Sequence, residues 1–316
     1  MLTDVNGILV GQAQRLGEGW ATGVTVVVPP PGTVAAVDVR GGGPGTHETD
    51  ALAVGTLVQH ADAVVLCGGS AFGLVAAHGV QRWCEEQGRG FAAGVRPDGS
   101  PLLVPVVPAA AIFDLGRGGD PDLRPDAELG FEAAQAARGG AFARGQVGAG
   151  TGARTSAGAA PGGVGTATIR LDGGVLVSAL VVLNAAGRVL AEPLAEAETP
   201  ADAEVRAEAG RPPLNTTLAV VATNAQLDRG ACRRMAGAGH DGLARAIRPI
   251  HTLMDGDTVF GLATGELSAR VADASAAEAG WPGAQELLGL VAVQAAAADA
   301  VQAAVLDAWE QASAPA

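Results

Sequence analysis

The chain of 316 residues has no lysine and no tyrosine, and only 3% of its residues are aromatic. The missing lysine and tyrosine exclude a lysine base, a Schiff base and a tyrosine acid from its chemistry. The three cysteines, Cys67, Cys84 and Cys232, show no CxxC spacing, so the sequence predicts neither a disulfide framework nor a zinc site. Free thiols are typical of a reducing compartment.

The chain also has no basic cluster, and its formal net charge is -13. This balance argues against nucleic acid as a partner. The five histidines form no HxH or HExxH pattern, so we expect no metal and no cofactor. The N-terminus shows neither a basic segment nor a long apolar segment, and the apolar runs are interrupted short of a membrane span. We therefore expect a cytoplasmic protein without a membrane partner.

What is abundant is small and apolar: 48% of the residues are hydrophobic, and with few aromatics the core must consist of alanine, valine and leucine. Mixed strand and helix patterns without a linker predict one α+β domain over residues 1–316, with layered sheets and helices. Val164 to Leu171 and Val175 to Leu183, joined by Asp172-Gly173-Gly174, predict a hairpin. Helices are predicted over residues 49–59, 74–87, 125–138, 226–247 and 284–311.

Two polar segments lie at the mouths of predicted strands. Asn215-Thr216-Thr217 follows a segment rich in Glu, Ala and Pro (residues 191–214) and precedes the apolar run of residues 218–222. Asp255 and Asp257 likewise precede a strand. A threonine at one strand start and paired acids at another suggest a chain that cuts itself before Thr216 and uses the new N-terminus as nucleophile. Taken singly, each is also ordinary strand or turn chemistry.

Two further segments have both a chemical and a structural interpretation. Residues 68–73 (Gly-Gly-Ser-Ala-Phe-Gly) lack the features of a P-loop, a dinucleotide fingerprint and a nucleophile elbow. Gly69 and Ser70 are either substrate-binding residues at a helix N-terminus or parts of a tight turn. Asn184, at the end of the second hairpin strand, is either a turn residue or a donor to an oxyanion.

Six segments of the chain resemble one known family, in sequence order: residues 3–11, 40–50 and 68–74, Asn184, Asn215-Thr216-Thr217 and residues 255–260. That family is the L-aminopeptidase/D-amidase (β-peptidyl aminopeptidase) family. This family consists of self-cleaving N-terminal-nucleophile hydrolases, and the nylon-oligomer hydrolases are the branch that looks closest. The resemblance spans most of the chain. It implies a layered α/β/β/α sandwich of mixed sheets flanked by helices.

The resemblance also implies cleavage of the Asn215–Thr216 bond, giving an α chain (1–215) and a β chain (216–316) in one folded unit. Thr216 would be the nucleophile, with its own freed amine as base. Asn184 would stabilise the oxyanion, and Asp255 and Asp257 would orient the nucleophile. No cofactor or metal is implied, and the expected assembly is a homotetramer of αβ units.

The sequence departs from the family at two places. The segment from Val104 to Phe113 lacks the tyrosine of some relatives, and residues 148–158 offer only Arg154 where the nylon hydrolases carry a lysine. Arg154 is thus a candidate substrate-binding cation. The predicted function is hydrolysis of short peptides or related small amides through an acyl-enzyme. The alternatives are hydrolysis of ω-amino-acid oligomers, acyl transfer on the same fold, and an uncleaved, inactive scaffold or binding protein.

Overall fold

A computed structural model describes residues 1–156, 158–190, 214–269 and 283–314. In it, runs of valine and alanine form the strands of two five-stranded sheets. The strands are β1 (Leu9–Gly17), β2 (Trp20–Val28), β3 (Val34–Val39), β4 (Thr46–His47), β5 (Val64–Cys67), β6 (Phe91–Val95), β7 (Pro101–Val104), β8 (Ala109–Ala111), β9 (Arg154–Thr155), β10 (Ala160–Pro161), β11 (Gly163–Arg170), β12 (Leu176–Leu183), β13 (Arg188–Val189), β14 (Leu218–Gln226), β15 (Ile247–Arg248) and β16 (Thr258–Ser268). The helices are α1 (Ser70–Gly73), α2 (Ala76–Glu86), α3 (Ala127–Gln135), α4 (Arg229–Ala246) and α5 (Ala284–Ser313).

The strand order is β1-β2-β5-β8-β4 in the first large sheet and β11-β12-β14-β16-β3 in the second. Both sheets are mixed, because β5 runs parallel to β8 and β14 runs parallel to β16, while the other pairs are antiparallel. The predicted hairpin is confirmed as β11 and β12. Its turn contains Gly173 and Gly174 at positive φ, a conformation that glycine adopts without steric cost.

Side chains alternate between the two faces of each strand, and this divides the core into three layers. Val24 and Val26 of β2 face the helices α2 and α3, whereas Val27 points toward the second sheet. In β14, Val220 contributes to the layer between the sheets and Val221 packs toward α4 and α5. The order of layers is therefore α2/α3, first sheet, second sheet, α4/α5. This confirms the predicted α/β/β/α sandwich.

The outer helices approach their neighbours closely because small residues line the contacts. A Cβ atom added to Gly242 of α4 would lie 2.2 Å from the Ala298 carbonyl oxygen of α5. One added to Gly165 of β11 would lie 2.2 Å from the Ala304 oxygen of the same helix. A core poor in aromatics is thus compensated by close backbone packing, which preserves dispersion contacts.

Helix α5 is long and apolar enough to span a membrane by length and composition, with a mean hydropathy of 1.6 over its best window. Half of that window is buried inside the protein. Val293, Val301 and Ala304 pack in the layer between the second sheet and α4. These contacts are typical of the core helix of a globular domain.

Some predicted elements differ from the structure. The helix expected over residues 49–59 is wrong, since only a 3-10 turn at Thr49–Leu52 forms before the chain bends. The helix predicted from residue 226 begins at Arg229, because Asp228 caps it by accepting from the Ala231 amide. The segment expected on the surface before Asn215 lies, up to residue 213, outside the described residues.

The close approach of α4 to α5 predicts that one methyl group added at Gly242 strongly lowers the free energy of unfolding. Gly242→Ala should lower the free energy of unfolding by about 2 kcal/mol, because the new Cβ has backbone rather than a flexible side chain against it. Gly230→Ala in the same helix is the control, since its Cβ would meet only an Asp228 oxygen at 3.4 Å. We expect the control to be neutral or up to about 1 kcal/mol stabilising. Urea unfolding of both variants measures the difference; equal effects would contradict the packing argument.

Candidate active site

Three neighbouring strands of the second sheet bring the predicted catalytic residues to one edge. Asn184 directly follows β12, Asn215 to Thr217 directly precede β14, and Asp255 to Asp257 directly precede β16. Since β12 is antiparallel to β14 and β14 is parallel to β16, the end of the first strand and the starts of the other two meet. The pairing extends into the polar segments as a bridge between Asn215 and Asp255.

The bond between Asn215 and Thr216 is buried, with the two residues 1% and 3% exposed. The Thr216 hydroxyl donates to the Asn215 carbonyl oxygen at 2.6 Å, and the Gly256 amide donates to the same oxygen at 3.2 Å. The Thr216 amide in turn donates to the Asn184 carbonyl oxygen at 2.8 Å. The carbonyl group of this bond is therefore polarised by two donors, one of which is the adjacent hydroxyl.

Gly256 can make this contact because it has no side chain. A Cβ atom there would lie 2.5 Å from the Gly43 carbonyl oxygen and 2.8 Å from Pro44 Cα. The glycine-rich loop after β3 is fastened to the acidic loop, because the Gly43 amide donates to the Asp255 carbonyl oxygen at 2.9 Å. Sequence reasoning missed Gly256, although its position between the two predicted acids was a signal.

Asp257 holds the residue that follows the hydroxyl. Its Oδ1 accepts from the Thr217 amide at 2.7 Å, and its Oδ2 accepts from Nδ1 and the amide of His251 at 2.7 Å and 3.1 Å. The carboxylate is fully buried. Oδ1 thus fixes the start of β14 and Oδ2 fixes the His251 loop, so both oxygens hold neighbouring segments in place, as a positioning group requires. His251 was not among the predicted site residues.

Asp255 is also fully buried, but its two oxygens have different surroundings. Oδ2 accepts from the amide and hydroxyl of Thr252 at 2.9 Å and 2.7 Å. Oδ1 has no hydrogen-bond partner within residues 1–156, 158–190, 214–269 and 283–314. Burial, and secondarily the Asp257 carboxylate, raises the pKa of Asp255 above its ordinary value. Perturbed carboxyl groups of this kind are characteristic of catalytic sites.

The Asn184 side chain is fixed by three groups. Its Oδ1 accepts from the Arg154 amide at 3.0 Å and from Arg117 Nη1 at 3.3 Å, and its Nδ2 lies 3.4 Å from the Phe113 carbonyl oxygen. In the intact chain it is the Gly256 amide, and not this side chain, that donates to the Asn215 carbonyl. A role of Asn184 as oxyanion donor stays a prediction for the cleaved form.

Arg154 reaches the site through its main chain. Besides its amide contact with Asn184, its carbonyl oxygen lies 3.4 Å from Asn215 Nδ2. The guanidinium that contacts the junction belongs to Arg117, whose Nη2 donates to the Leu214 carbonyl oxygen at 2.8 Å and to Asn215 Oδ1 at 3.1 Å. No motif marked Arg117; its sequence signal is only a basic residue in a glycine-rich turn after a buried strand.

The amides of Gly69 and Ser70 donate inside the fold. The Gly69 amide binds Asp114 Oδ1 at 2.6 Å, and the Ser70 amide binds the Ile112 carbonyl oxygen at 2.9 Å. Both residues have positive φ, at 81° and 53°. Asp114 is buried, which raises its pKa, and it also accepts from the Thr22 hydroxyl at 2.7 Å. Substrate binding by Gly69 and Ser70 stays a prediction, and their described contacts are those of a tight turn beside the Phe113 loop.

The cysteine thiols are poor nucleophiles in this fold. All three cysteines are buried, and burial raises the pKa of Cys84 and Cys232 to about 12 and that of Cys67 further. Their thiols are therefore protonated at neutral pH. In the part of the chain that the structure describes, no group of three or more His, Cys, Asp or Glu residues is arranged to hold a metal ion.

Sequence comparison places this chain among peptidases. The profile of peptidase family S58 matches residues 1–315. An uncharacterized aminopeptidase of Mycobacterium bovis is 50% identical over 96% of this chain and 92% of its own length. A 6-aminohexanoate-oligomer endohydrolase of Kocuria sp. is 32% identical over 84% of this chain and 75% of its own length.

Structure comparison finds the same architecture in solved proteins. The L-aminopeptidase D-Ala-esterase/amidase from Ochrobactrum anthropi, described as a new variant among the Ntn hydrolase fold, superposes with a TM-score of 0.72. The match has 22% identity and covers 97% of this chain and 85% of the other. A Burkholderia sp. beta-aminopeptidase superposes with a TM-score of 0.70, 24% identity and the same coverage of both chains. At these identities the likeness establishes the fold, which is the Ntn hydrolase fold.

The raised pKa of Asp255 predicts a pH-dependent effect of Asp255→Asn on stability. Between the unfolded pKa of about 3.9 and the higher folded pKa, the folded chain binds more protons than the unfolded chain, so ionisation of Asp255 destabilises the fold as pH rises. Asparagine removes that penalty and can still accept from Thr252. Each unit by which the pKa is raised corresponds to about 1.4 kcal/mol.

We therefore expect Asp255→Asn to gain stability relative to its parent as pH rises above the unfolded pKa of about 3.9, and to lose that gain in more acid solution. Urea unfolding from about pH 3 to about pH 8 measures this difference, with Thr216→Ala in both chains to exclude any cut that depends on the Thr216 hydroxyl. Asp172→Asn, a surface substitution in the β11–β12 turn, serves as control. A stability difference for Asp255→Asn that is the same at both ends of this pH range would contradict the burial argument.

Proposed function

The chain belongs to peptidase family S58 and is a hydrolase of peptide or amide bonds, and from that premise we propose that it activates itself by cutting the Asn215–Thr216 bond. Thr216 then serves as an N-terminal nucleophile. The observation that carries the proposal is the buried junction itself. The Thr216 hydroxyl lies 2.6 Å from the Asn215 carbonyl oxygen, to which the Gly256 amide also donates.

The proposed self-cleavage proceeds in two steps. The Thr216 oxygen attacks the Asn215 carbonyl carbon, the C–N bond breaks, and the hydroxyl proton passes to the nitrogen, leaving an ester and a free amine. Water then hydrolyses the ester, which gives a carboxylate at Asn215 and restores the hydroxyl. The Gly256 amide stabilises negative charge on the carbonyl oxygen during the attack, a contribution of about 3 kcal/mol for one such donor. The products are the chains 1–215 and 216–316 in one folded unit.

The mature site uses the new amine as base. An unperturbed α-amine has a pKa of about 8, so a useful fraction is neutral near pH 7 and can take the proton of its own hydroxyl. The Asn184 carbonyl oxygen, 2.8 Å from the Thr216 nitrogen, orients that amine. Asp257 fixes the following residue through its contact with the Thr217 amide, and Asp255 supplies a buried carboxyl group beside it. Base and hydroxyl share one residue, which favours Thr216 over Thr217.

Substrates are short peptides or related small amides, whose acyl group is transferred to Thr216 and then to water. The aminopeptidase at 50% identity supports release of an N-terminal residue. A second candidate is hydrolysis of ω-amino-acid oligomers, favoured by the 32% identity to 6-aminohexanoate-oligomer endohydrolases. Acyl transfer to an amine, instead of to water, is a further alternative. An acylated amine formed when an acceptor amine is supplied would distinguish transfer from hydrolysis. A cytoplasmic location and a homotetramer of αβ units are part of the proposal.

Hydrolysis of a panel of aminoacyl and β-aminoacyl p-nitroanilides, together with a 6-aminohexanoate oligomer, tests the proposal. We expect Thr216→Ala to lose at least about 10³-fold in kcat/KM, because it removes nucleophile and activating cut together. Thr217→Val is the matched control, since the Thr217 hydroxyl has no hydrogen-bond partner among the described residues. It should cleave and turn over like the wild type. Equal activity of Thr216→Ala and wild type would exclude Thr216 as the nucleophile.

A further inference from the structure

Self-cleavage leaves a charge at a position that is buried from bulk solvent in the intact chain. Before the cut, the Asn215 carbonyl is a neutral amide in a residue only 1% exposed. After it, residue 215 carries a carboxylate, and Thr216 carries an amine that is mostly protonated at neutral pH. A buried carboxylate is unfavourable unless it is paired and hydrogen-bonded. Because the Thr216 amine must be neutral when it acts as base, the carboxylate requires a second cation at the junction, or else the new chain end must leave.

Arg117 already contacts the chain on the N-terminal side of this junction. Its Nη2 donates to the Leu214 carbonyl oxygen at 2.8 Å and to Asn215 Oδ1 at 3.1 Å. Its Nη1 donates to the Phe113 carbonyl oxygen at 3.0 Å and to Asn184 Oδ1 at 3.3 Å. The guanidinium also lies over the Phe113 ring, with its central carbon 5.4 Å from the ring centroid. One planar group thus links the scissile residue to the predicted oxyanion asparagine.

We propose that Arg117 binds the carboxylate that self-cleavage creates at Asn215 and, through Asn184, keeps the mature site in place. The inference rests on the proposed self-cleavage. A guanidinium binds a carboxylate with two parallel N–H groups, an arrangement that a single ammonium does not offer. When the new carboxylate binds Arg117, its oxygen no longer accepts a hydrogen bond from the Gly256 amide. That amide is then open to the carbonyl oxygen of an incoming substrate.

Within the part of the chain that the structure describes, the other charged groups around residue 215 do not fill this role. Arg154 contacts Asn215 Nδ2 and Asn184 Oδ1 through its main-chain carbonyl and amide. Arg40 donates to the Gly237 carbonyl oxygen, on helix α4. Asp255, which pairs with Asn215 through the main chain, is acidic and opposes the new carboxylate. Arg117 is therefore a positioning residue, acting on the chain end and on Asn184.

Carbon NMR tests this directly, because the chain has only four asparagines, Asn6, Asn184, Asn215 and Asn224. Protein labelled with ¹³C at the asparagine main-chain carbonyl gives one free carboxylate after cleavage, at Asn215, and that signal titrates. The cleaved wild type is compared with Arg117→Gln, which is neutral but still donates, and with Arg117→Lys, which keeps the charge. Arg82→Met, which removes an exposed surface pair with Glu128, is the control.

In wild type and Arg82→Met we expect the carboxylate to titrate at least about one pH unit below the ordinary α-carboxyl range of about 3.3 to 3.7. In Arg117→Gln it should titrate at or above that range, and Arg117→Lys should fall between. Equal titration in wild type and Arg117→Gln overturns the inference while leaving self-cleavage intact. A wild type that shows no titrating asparagine carboxylate and one full-length mass instead overturns the proposed self-cleavage.

A failure of Arg117→Gln to cleave is also decisive. Cleavage restored by Arg117→Lys, with native circular dichroism in both variants, supports a role that depends on the positive charge. Absence of cleavage in Arg117→Lys as well, with both variants folded, overturns the inference, because Arg117 would then act in the cut itself and not on the carboxylate that the cut creates.

Discussion

The parallel pairing of β14 with β16 is the constraint from which the site follows. It sets Leu218 opposite Thr258, so that the residues just before each strand, Asn215 to Thr217 and Asp255 to Asp257, lie side by side. The register is fixed by packing on both faces. A slip of one residue would turn Val220 from the layer between the sheets to the helix side, and Val221 the other way. The same slip would separate the Thr217 amide from Asp257.

Around this edge the protein accepts an electrostatic cost. Two carboxyl groups, Asp255 and Asp257, are fully buried close together. Asp257 is compensated by the Thr217 amide and by His251, whereas one oxygen of Asp255 has no partner among the described residues. Such an arrangement lowers the stability of the fold and is typical of catalytic sites, because the buried Asp255 carboxyl group holds its proton more tightly than it would in water. The close packing of small residues elsewhere, as between α4 and α5, offsets that cost.

Much of the fold was predictable because strands and helices with strong periodicity carry their own signal, as in the β11–β12 hairpin and α5. The helix predicted near Thr49 is wrong because only Leu52, at the end of a 3-10 turn, is buried, whereas Val54 and Leu57 are exposed and leave the segment without a continuous apolar face. In the site, hydroxyl and acid positions at strand starts were predictable from local patterns and from family resemblance. Arg117 and Gly256 were not, because their contacts with Asn215 join segments far apart in sequence. The contact of His251 with Asp257 spans only six positions, but it depends on the loop conformation. Arg117 meets Asn215 across 98 positions, a contact that no local pattern shows.

The mass of the intact protein under denaturing conditions tests the central claim most directly, on wild type and on Thr216→Ala. Two chains in the wild type, the smaller beginning at Thr216, together with one full-length chain in the variant, are the predicted result. A wild type that remains one unbroken chain after prolonged incubation at neutral pH would contradict self-cleavage at the buried junction. A wild type cut at any other bond would contradict the assignment of Thr216.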